Sequence, residues 1–293
     1  MNMARRVVRV DNSSDRSPRR KVLECVVNVS EGRRPAVLTR LGSHCGSDLL
    51  DVHSDSFHHR SVFTLAGTDA VRRLTVAAVT ELDLANHTGV HPRLGVVDVV
   101  PFVALPGSTL ADAIAARDSF ARWASSALGV PCFLYGPERT LPEVRRHAWS
   151  DLSPDFGPPT PHRTAGAICV GARPVLVAYN VYLRDSDLKR AKQVASLIRG
   201  PHLRALGLQV GNRVQVSMNL IEPAVTGPAQ AYDAVALHAA IAGTELVGLV
   251  TESVLTMVPR WRWQELDLSP DRTIESRMRR ALAQRGPYEL IER

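Results

Sequence analysis

The sequence predicts an α/β (α+β) protein of two subdomains, each a mostly antiparallel β-sheet covered by helices. Three observations carry this. Runs rich in β-branched residues alternate with stretches whose apolar residues recur at helical spacing. The order strand, helix, strand, strand, helix, strand fills the first half, which is the order of a split βαβ, ferredoxin-like unit. The second half repeats that alternation more compactly, without a repeat at the level of residues. The expected organisation is a flexible basic tail over 1–20, an N-terminal subdomain over 21–173 and a C-terminal subdomain over 174–293.

Val22–Val29 reads as the first strand, and Ser30-Glu31-Gly32 as a loop leading to a helix near Pro35–Leu41. A second strand begins at Leu49–Val52, and Ser61–Leu65 is a third, rich in β-branched and aromatic residues. Thr68-Asp69 is an expected N-cap, since Val71, Leu74, Ala78 and Leu82 then recur on one helical face. Val96–Val103 is a nearly continuous apolar strand, followed by a helix over Ser108–Leu128 with Leu110, Ile114 and Ala121 inward. Pro131–Tyr135 is another strand, and residues 137–166, rich in Pro, Gly and polar types, read as a long loop. Beyond the boundary come a strand at Val175–Val181, a helix over Leu188–Ile198 ended by Gly200, and a strand at Val214–Leu220. A helix at Pro228–Ile241 and a strand at Glu245–Val250 complete the pattern. Arg272–Gln284 is a charged helical stretch, and Trp261 and Trp263 are expected to pack on the second subdomain.

Composition narrows the classes. Of 293 residues, 45% are hydrophobic and 22% charged, which is enough apolar material for a buried core. No run of eighteen apolar residues occurs and the basic N-terminus lacks an apolar signal stretch, so no membrane association and a cytoplasmic location are expected. Cys25, Cys45, Cys132 and Cys169 are scattered without a CxxC pair and are expected to be reduced, with Cys25 and Cys132 in the core. The net charge of +7 favours anionic partners. The basic residues are not interleaved with aromatics, so nucleic acid is not expected; a small substrate with several carboxylates accounts for the charge equally well.

The densest segment is Asn86–Phe102, NHTGVHPRLGVVDVVPF. A residue before proline is disfavoured in the α region, and Gly89 and Gly95 bracket the pair, so His91 is expected on a tight bend entering a buried strand. Its imidazole, with a reference pKa of roughly 6.5, can accept and return a proton near neutrality. Arg93 is placed to hold a carboxylate, and Asp98 to orient the loop or pair with a basic neighbour. A second cluster, Asp51–Arg60, raises the number of histidines near this segment to five: His53, His58, His59, His87 and His91. Metal binding is the alternative there, although no HxH or HExxH spacing is present and His58 and His59 are expected to point to opposite faces. The third segment, Phe156–Arg173, has the glycines and prolines of a loop whose backbone can approach a flat ligand. No dinucleotide or P-loop fingerprint is present.

Together these segments resemble the formiminotransferase (glutamate formimidoyltransferase) family. The resemblance is carried by ECVVNVSEGR at Glu24–Arg33, LLDV at Leu49–Val52, RSVFTLAG at Arg60–Gly67 and HTGVHPRLGVVDVVPFVAL at His87–Leu105. It continues through PCFLYG, PDFGP, GAICVGARPVLVAYNVYL, VQVSMNL and ELVGLV, from about residue 21 to 257. It implies two transferase subdomains flanking a folate groove, in a cytoplasmic homodimer. The implied reaction moves a formimino group from N-formimino-L-glutamate to tetrahydrofolate, a co-substrate, in histidine degradation. The catalytic histidine maps to His91. The folate loop maps to Gly157, Pro158, Pro159, Thr160, Pro161, His162, Arg163, Thr164, Ala165 and Gly166. Arg60, Arg93, Arg173, His53 and His59 are the expected substrate-binding residues, no metal is required, and the cyclodeaminase domain of some relatives is expected to be absent.

The sequence also departs from the family pattern. Val27 and Val29 replace Pro and Phe, His53 and Val90 stand where acidic residues are usual, and His59 stands where Asn is usual. An amidinium loses anionic partners at those positions. The departures leave open a related transferase using another amine, such as glycine or a biosynthetic intermediate, and a non-catalytic folate-binding protein.

Overall fold

The computed structural model describes residues 22–89 and 92–284. The basic tail over 1–20, Val90 and the expected catalytic residue His91 lie outside the described residues. The first part of the chain forms β1 (Leu23–Val29), α1 (Pro35–Ser43), β2 (Leu49–Asp55), β3 (Arg60–Ala66), α2 (Thr68–Glu81), β4 (Val97–Ala104), α3 (Leu110–Leu128), β5 (Cys132–Tyr135), α4 (Leu141–His147) and β6 (Ile168–Arg173). The second part forms β7 (Val177–Leu183), α5 (Leu188–Ile198), β8 (Leu203–Val210), β9 (Arg213–Leu220), α6 (Pro228–Ala236), β10 (Ile241–Val247), α7 (Glu252–Thr256) and α8 (Ile274–Gln284).

Two sheets result. The first has six strands in the order β2-β3-β1-β4-β6-β5, antiparallel from β2 to β4 and parallel across β4-β6-β5. The second has four antiparallel strands in the order β10-β7-β9-β8. Helices cover one face of each. Val37 and Leu41 of α1, Val71 and Leu74 of α2, and Phe120 and Ala121 of α3 pack on Val27, Phe63, Phe102 and Val170 of the first sheet. Ala191 and Val194 of α5 and Ala231 and Val235 of α6 pack on Tyr179, Val181, Val214 and Val216 of the second.

Two expected loops contain regular structure, and one strand stands where no element was expected. The segment predicted as loop over 156–173 ends in β6, where Gly171 is required because a Cβ there would lie 2.0 Å from the ring of Tyr135. The loop over 137–166 contains α4, opened by a capping box in which the Thr140 hydroxyl accepts from Glu143 N and the Glu143 carboxylate accepts from Thr140 N. Strand β8 falls between the expected helix over Leu188–Ile198 and the expected strand Val214–Leu220, and it pairs with β9 across a two-residue Gly211-Asn212 turn. Other corrections are local. The helix from Pro228 ends at Ala236 because β10 starts at Ile241. Gly67, not Thr68, is the N-cap of α2. Leu110 at the start of α3 and Trp261 are exposed, while Trp263 packs as expected on the second core. All four cysteines are buried free thiols. Among the described residues no helix is long and apolar enough to cross a membrane.

The uncovered faces of the sheets meet through the β2-β3 half of the first sheet. His53 of β2 pairs with Glu245 of β10, the Phe57 ring at the β2-β3 tip packs on Gly211, and Thr64 lies beside Gly248. At one end, α8 joins both sheets in a small apolar cluster of Leu50, Leu105, Leu249 and Ile274. The uncovered face of β5-β6 is closed by Val144 of α4 together with Trp149 and Leu152.

Candidate active site

The candidate site is built where the chain enters β4. The register of β1 against β4 pairs Asn28 with Val99 and Val29 with Val97, so Asp98 is the extra residue of a β-bulge. The bulge places its carboxylate among polar groups of four segments. Asp98 Oδ1 accepts from Leu94 N at 2.8 Å, and Oδ2 accepts from Arg60 Nη1 at 2.9 Å and Arg145 Nη2 at 2.5 Å. Arg60 Nε donates to Asn28 Oδ1 at 2.9 Å. Asp98 is fully buried. Burial pushes its pKa up, but Arg60, Arg145 and the Leu94 N–H outweigh that and hold it below the usual carboxylate value. Burial draws Arg60 down, against the opposing pull of Asp98. Two guanidiniums against one carboxylate leave an excess positive charge at this point.

The bend before β4 is fastened on both sides. Its N-terminal arm sits on the β2-β3 tip, where the rings of His59 and His87 stack with centroids 4.2 Å apart. His59 Nδ1 accepts from Gly32 N at 3.0 Å, and His87 Nδ1 accepts from Gly89 N at 3.1 Å. Each ring is therefore held as a neutral Nε2–H tautomer, and the His87 Nε2–H reaches the His59 carbonyl at 2.7 Å. Burial lowers both pKa values, helped for His59 by the neighbouring His87 and for His87 by Arg93. Arg93 turns back on its own bend, donating to the carbonyls of Gly89 and His87 at 2.9 Å each. On the C-terminal arm, Arg145 Nη1 donates to the Pro92 carbonyl.

The same bend is strapped to the expected folate loop. Leu84 N donates to Thr164 O, Val96 N to Ala165 O and Ala167 N to Leu94 O. Gly95 and Gly166 make this contact possible. A Cβ on Gly95 would lie 2.3 Å from Ala167 O, and one on Gly166, whose φ is 72°, would lie 2.2 Å from Leu94 O. His162 Nδ1 accepts from Ala165 N at 3.1 Å and closes its own turn. Gly157, Pro158, Pro159, Thr160, Pro161 and Arg163 are exposed, while Ala165 and Gly166 are buried.

The sequence-predicted residues thus fall into three places. Arg60, Arg93 and His59 surround the bend, with His162, Thr164, Ala165 and Gly166 alongside. His53 lies across the first sheet at the seam with the second, its Nε2 3.4 Å from Glu245 Oε1. Glu245 also accepts from Asn180 and Tyr182; burial opposes its ionisation, but these donors hold it at about 2. Arg173, paired with Val103 in the β4-β6 register, is at the opposite end of β4 from Asp98, about 16 Å along the strand. Near it, burial lifts Glu24 to about 7 against the pull of Arg173. His58 faces Asp55 at 2.9 Å, and among the described residues no three His, Cys, Asp or Glu side chains are grouped as metal ligands. Sequence reasoning missed Arg145, Asn28 and Glu245. The Thr140-x-x-Glu143 capping signal would have revealed the helix carrying Arg145, whereas Glu245 meets His53 only across the seam between the sheets.

Comparison with known proteins gives this arrangement a family. Residues 22–173 match the formiminotransferase domain, N-terminal subdomain. The chain is 33% identical over 283 residues to the glutamate formimidoyltransferase of Streptococcus pyogenes serotype M1, an alignment covering 84% of this chain and 95% of that one. It is 32% identical over 301 residues to the glutamate formimidoyltransferase of Thermoplasma acidophilum, covering 89% and 98%. It is also 33% identical over 277 residues to the formimidoyltransferase-cyclodeaminase of Gallus gallus, covering 80% of this chain and 51% of that longer one. With the family's pattern spread over both sheets, the chain belongs to the formiminotransferase family.

Proposed function

We propose that this protein is a tetrahydrofolate-dependent glutamate formimidoyltransferase, moving the formimino group of N-formimino-L-glutamate to tetrahydrofolate with His91 as its general acid and base. The observation that carries this is the polar centre under the bend: Asp98, Arg60 and Arg145 fix Pro92 and Leu94, the first and third residues after His91, and the strap sets residues 162–167 alongside. The activity for which the Streptococcus and Thermoplasma relatives are named supports the reaction. The two sheets are taken as the subdomains 21–173 and 174–293, and the homodimer and cytoplasmic location implied by the resemblance belong to the same proposal.

The residues present suit a folate. The Gln215 amide is buried on the second sheet's uncovered face and makes no hydrogen bond among the described residues; it can match the alternating donors and acceptors of a pterin edge. Tetrahydrofolate supplies the amine that takes up the one-carbon group. In the proposed mechanism His91 accepts the proton released from that amine and returns a proton to the nitrogen of the departing glutamate. Such proton handling contributes about 10²–10⁴-fold. Arg60 at the Asp98 centre and Arg173 at the other end of β4 are assigned substrate carboxylates. Arg93 acts on the bend itself, through the His87 and Gly89 carbonyls.

A second reading, transfer from another amidine, is favoured by one observation. Position 53, where the family pattern has an acidic residue, carries an imidazole paired with Glu245. The test mixes purified protein and tetrahydrofolate with formiminoglutamate, formiminoglycine and other amidines, and follows formiminotetrahydrofolate. Turnover with formiminoglutamate is expected. Turnover only with another donor selects the second reading, and folate binding with no turnover removes both. His91→Ala is expected to abolish turnover while keeping folate affinity.

A further inference from the structure

We infer that Arg145 of α4 is a positioning residue that sets the bend carrying His91, through two bonds placed on either side of Arg93. This rests on the proposed role of His91. One bond is direct, from Arg145 Nη1 to the Pro92 carbonyl; the other runs through Asp98, whose Oδ2 takes Arg145 Nη2 at 2.5 Å and whose Oδ1 takes Leu94 N at 2.8 Å. A single planar guanidinium thus spans one backbone carbonyl and the carboxylate that holds a backbone N–H two residues later. Lysine cannot reproduce that fork, because its ammonium is a point donor.

The support behind Arg145 is rigid. Its helix is opened by the Thr140–Glu143 capping box and seated by Val144, fully buried against Phe133 and Tyr135. Arg145 occupies the last turn of that helix, with its side chain 19% exposed, and Asp98 beneath it is 1% exposed. The opposite arm of the bend is held separately by the His59–His87 stack and by Arg93. Loss of Arg145 therefore loosens the Pro92 side of the bend, while Asp98 with Arg60 and the strap still hold Leu94. A displacement of about 1 Å at a proton-transferring group can lower a rate by about 10²-fold.

The test compares wild type, Arg145→Ala and Arg145→Lys in the full chain. Formimino transfer to tetrahydrofolate, folate affinity, thermal midpoint and hydrogen exchange of the peptide spanning 87–96 are read for each. In Arg145→Ala the expected results are a kcat about 10²-fold lower, a folate Kd within about threefold of wild type, and faster exchange confined to 87–96. Added guanidinium at millimolar concentration is expected to restore at least tenfold of the lost rate to Arg145→Ala and none to His91→Ala. Arg145→Lys should fall between, with a thermal midpoint at the wild-type value. The inference is overturned by a kcat within twofold of wild type, by unchanged exchange over 87–96, or by a rate loss that tracks a general loss of stability and resists guanidinium. Absence of transfer by the wild type would defeat the functional reading instead, and the exchange comparison would still decide whether Arg145 holds the bend.

Discussion

Replacing Asp98 with Asn tests the centre of the site most directly. The substitution keeps the volume and removes the charge, leaving Arg60 and Arg145 facing each other with no anion between them. Breaking one partner out of a buried ion pair costs about 3–5 kcal/mol. An amide also cannot serve all three donors, since either Leu94 N–H or the guanidiniums then face an NH₂ group, a further penalty of about 1–3 kcal/mol for an unpaired buried group. The Arg60 and Arg145 side chains are 16% and 19% exposed, so water relieves part of this. A net loss of about 3 kcal/mol is therefore expected at pH 7, read by urea denaturation followed by tryptophan fluorescence. The pH dependence has a fixed sign. The folded-state pKa of Asp98 lies below its unfolded value of about 3.9, so the stabilisation is fully present above about pH 4 and is lost as pH falls toward the folded value. The gap between wild type and Asp98→Asn should stay constant from pH 7 to 5 and close below about pH 4. A gap under 1 kcal/mol at pH 7, or one that persists undiminished at pH 3, would refute the reasoning.

Three further outcomes are expected. His59 and His87 both have folded pKa values below the unfolded value of about 6.5, so their contribution is complete above that pH and is lost as pH falls below it; His59→Asn should flatten this limb in thermal melts from pH 7.5 to 5. For the partly exposed His53–Glu245 pair, a double-mutant cycle with His53→Ala and Glu245→Gln should give a coupling of about 0.5–1 kcal/mol, and a value near zero would remove it as a tie between the sheets. Glu245 is held at about 2 against an ordinary value of 4.5, so its carboxylate is fully ionised above about pH 4.5 and the tie should weaken as pH falls below that. Gly171→Ala drives a methyl into the Tyr135 ring and should cost about 1–3 kcal/mol or more in chemical denaturation; a neutral result would mean that the ring is free to move aside.

What the sequence discloses divides along the range of the interactions involved. Strands β1, β3 and β4 and helices α2 and α3 are legible because each carries its own apolar face, and the helix α3 also has a Thr109–Asp112 capping box and a left-handed Gly129 at its end. Strand β6 is not, because its Gly171 reads as loop until the Tyr135 ring lying on it is known. Strand β8 is an edge strand with exposed Arg204 and Leu206, so its apolar alternation is diluted. At the site, His91 lies outside the described residues, whereas the role of Asp98 as an orienting or pairing group follows from local pattern. Asp98's lateral reach does not, since it depends on a one-residue bulge whose existence only the β1–β4 register reveals. The partnership of Arg145 with Pro92 spans 53 residues and that of His53 with Glu245 joins two sheets, so neither leaves a trace in spacing.

The strap between the bend and residues 162–167 has one more consequence. It is sewn entirely from main-chain amides and carbonyls, with Leu94, Val96, Ala165 and Ala167 as stitches and with Gly95 and Gly166 at the two places where no Cβ fits. Leu94 or Thr164 can therefore drift in sequence without unpicking the seam, and two segments some seventy residues apart travel as one leaf. A molecule that tugs on the outer margin of that leaf is felt at the bend without any intervening side chain.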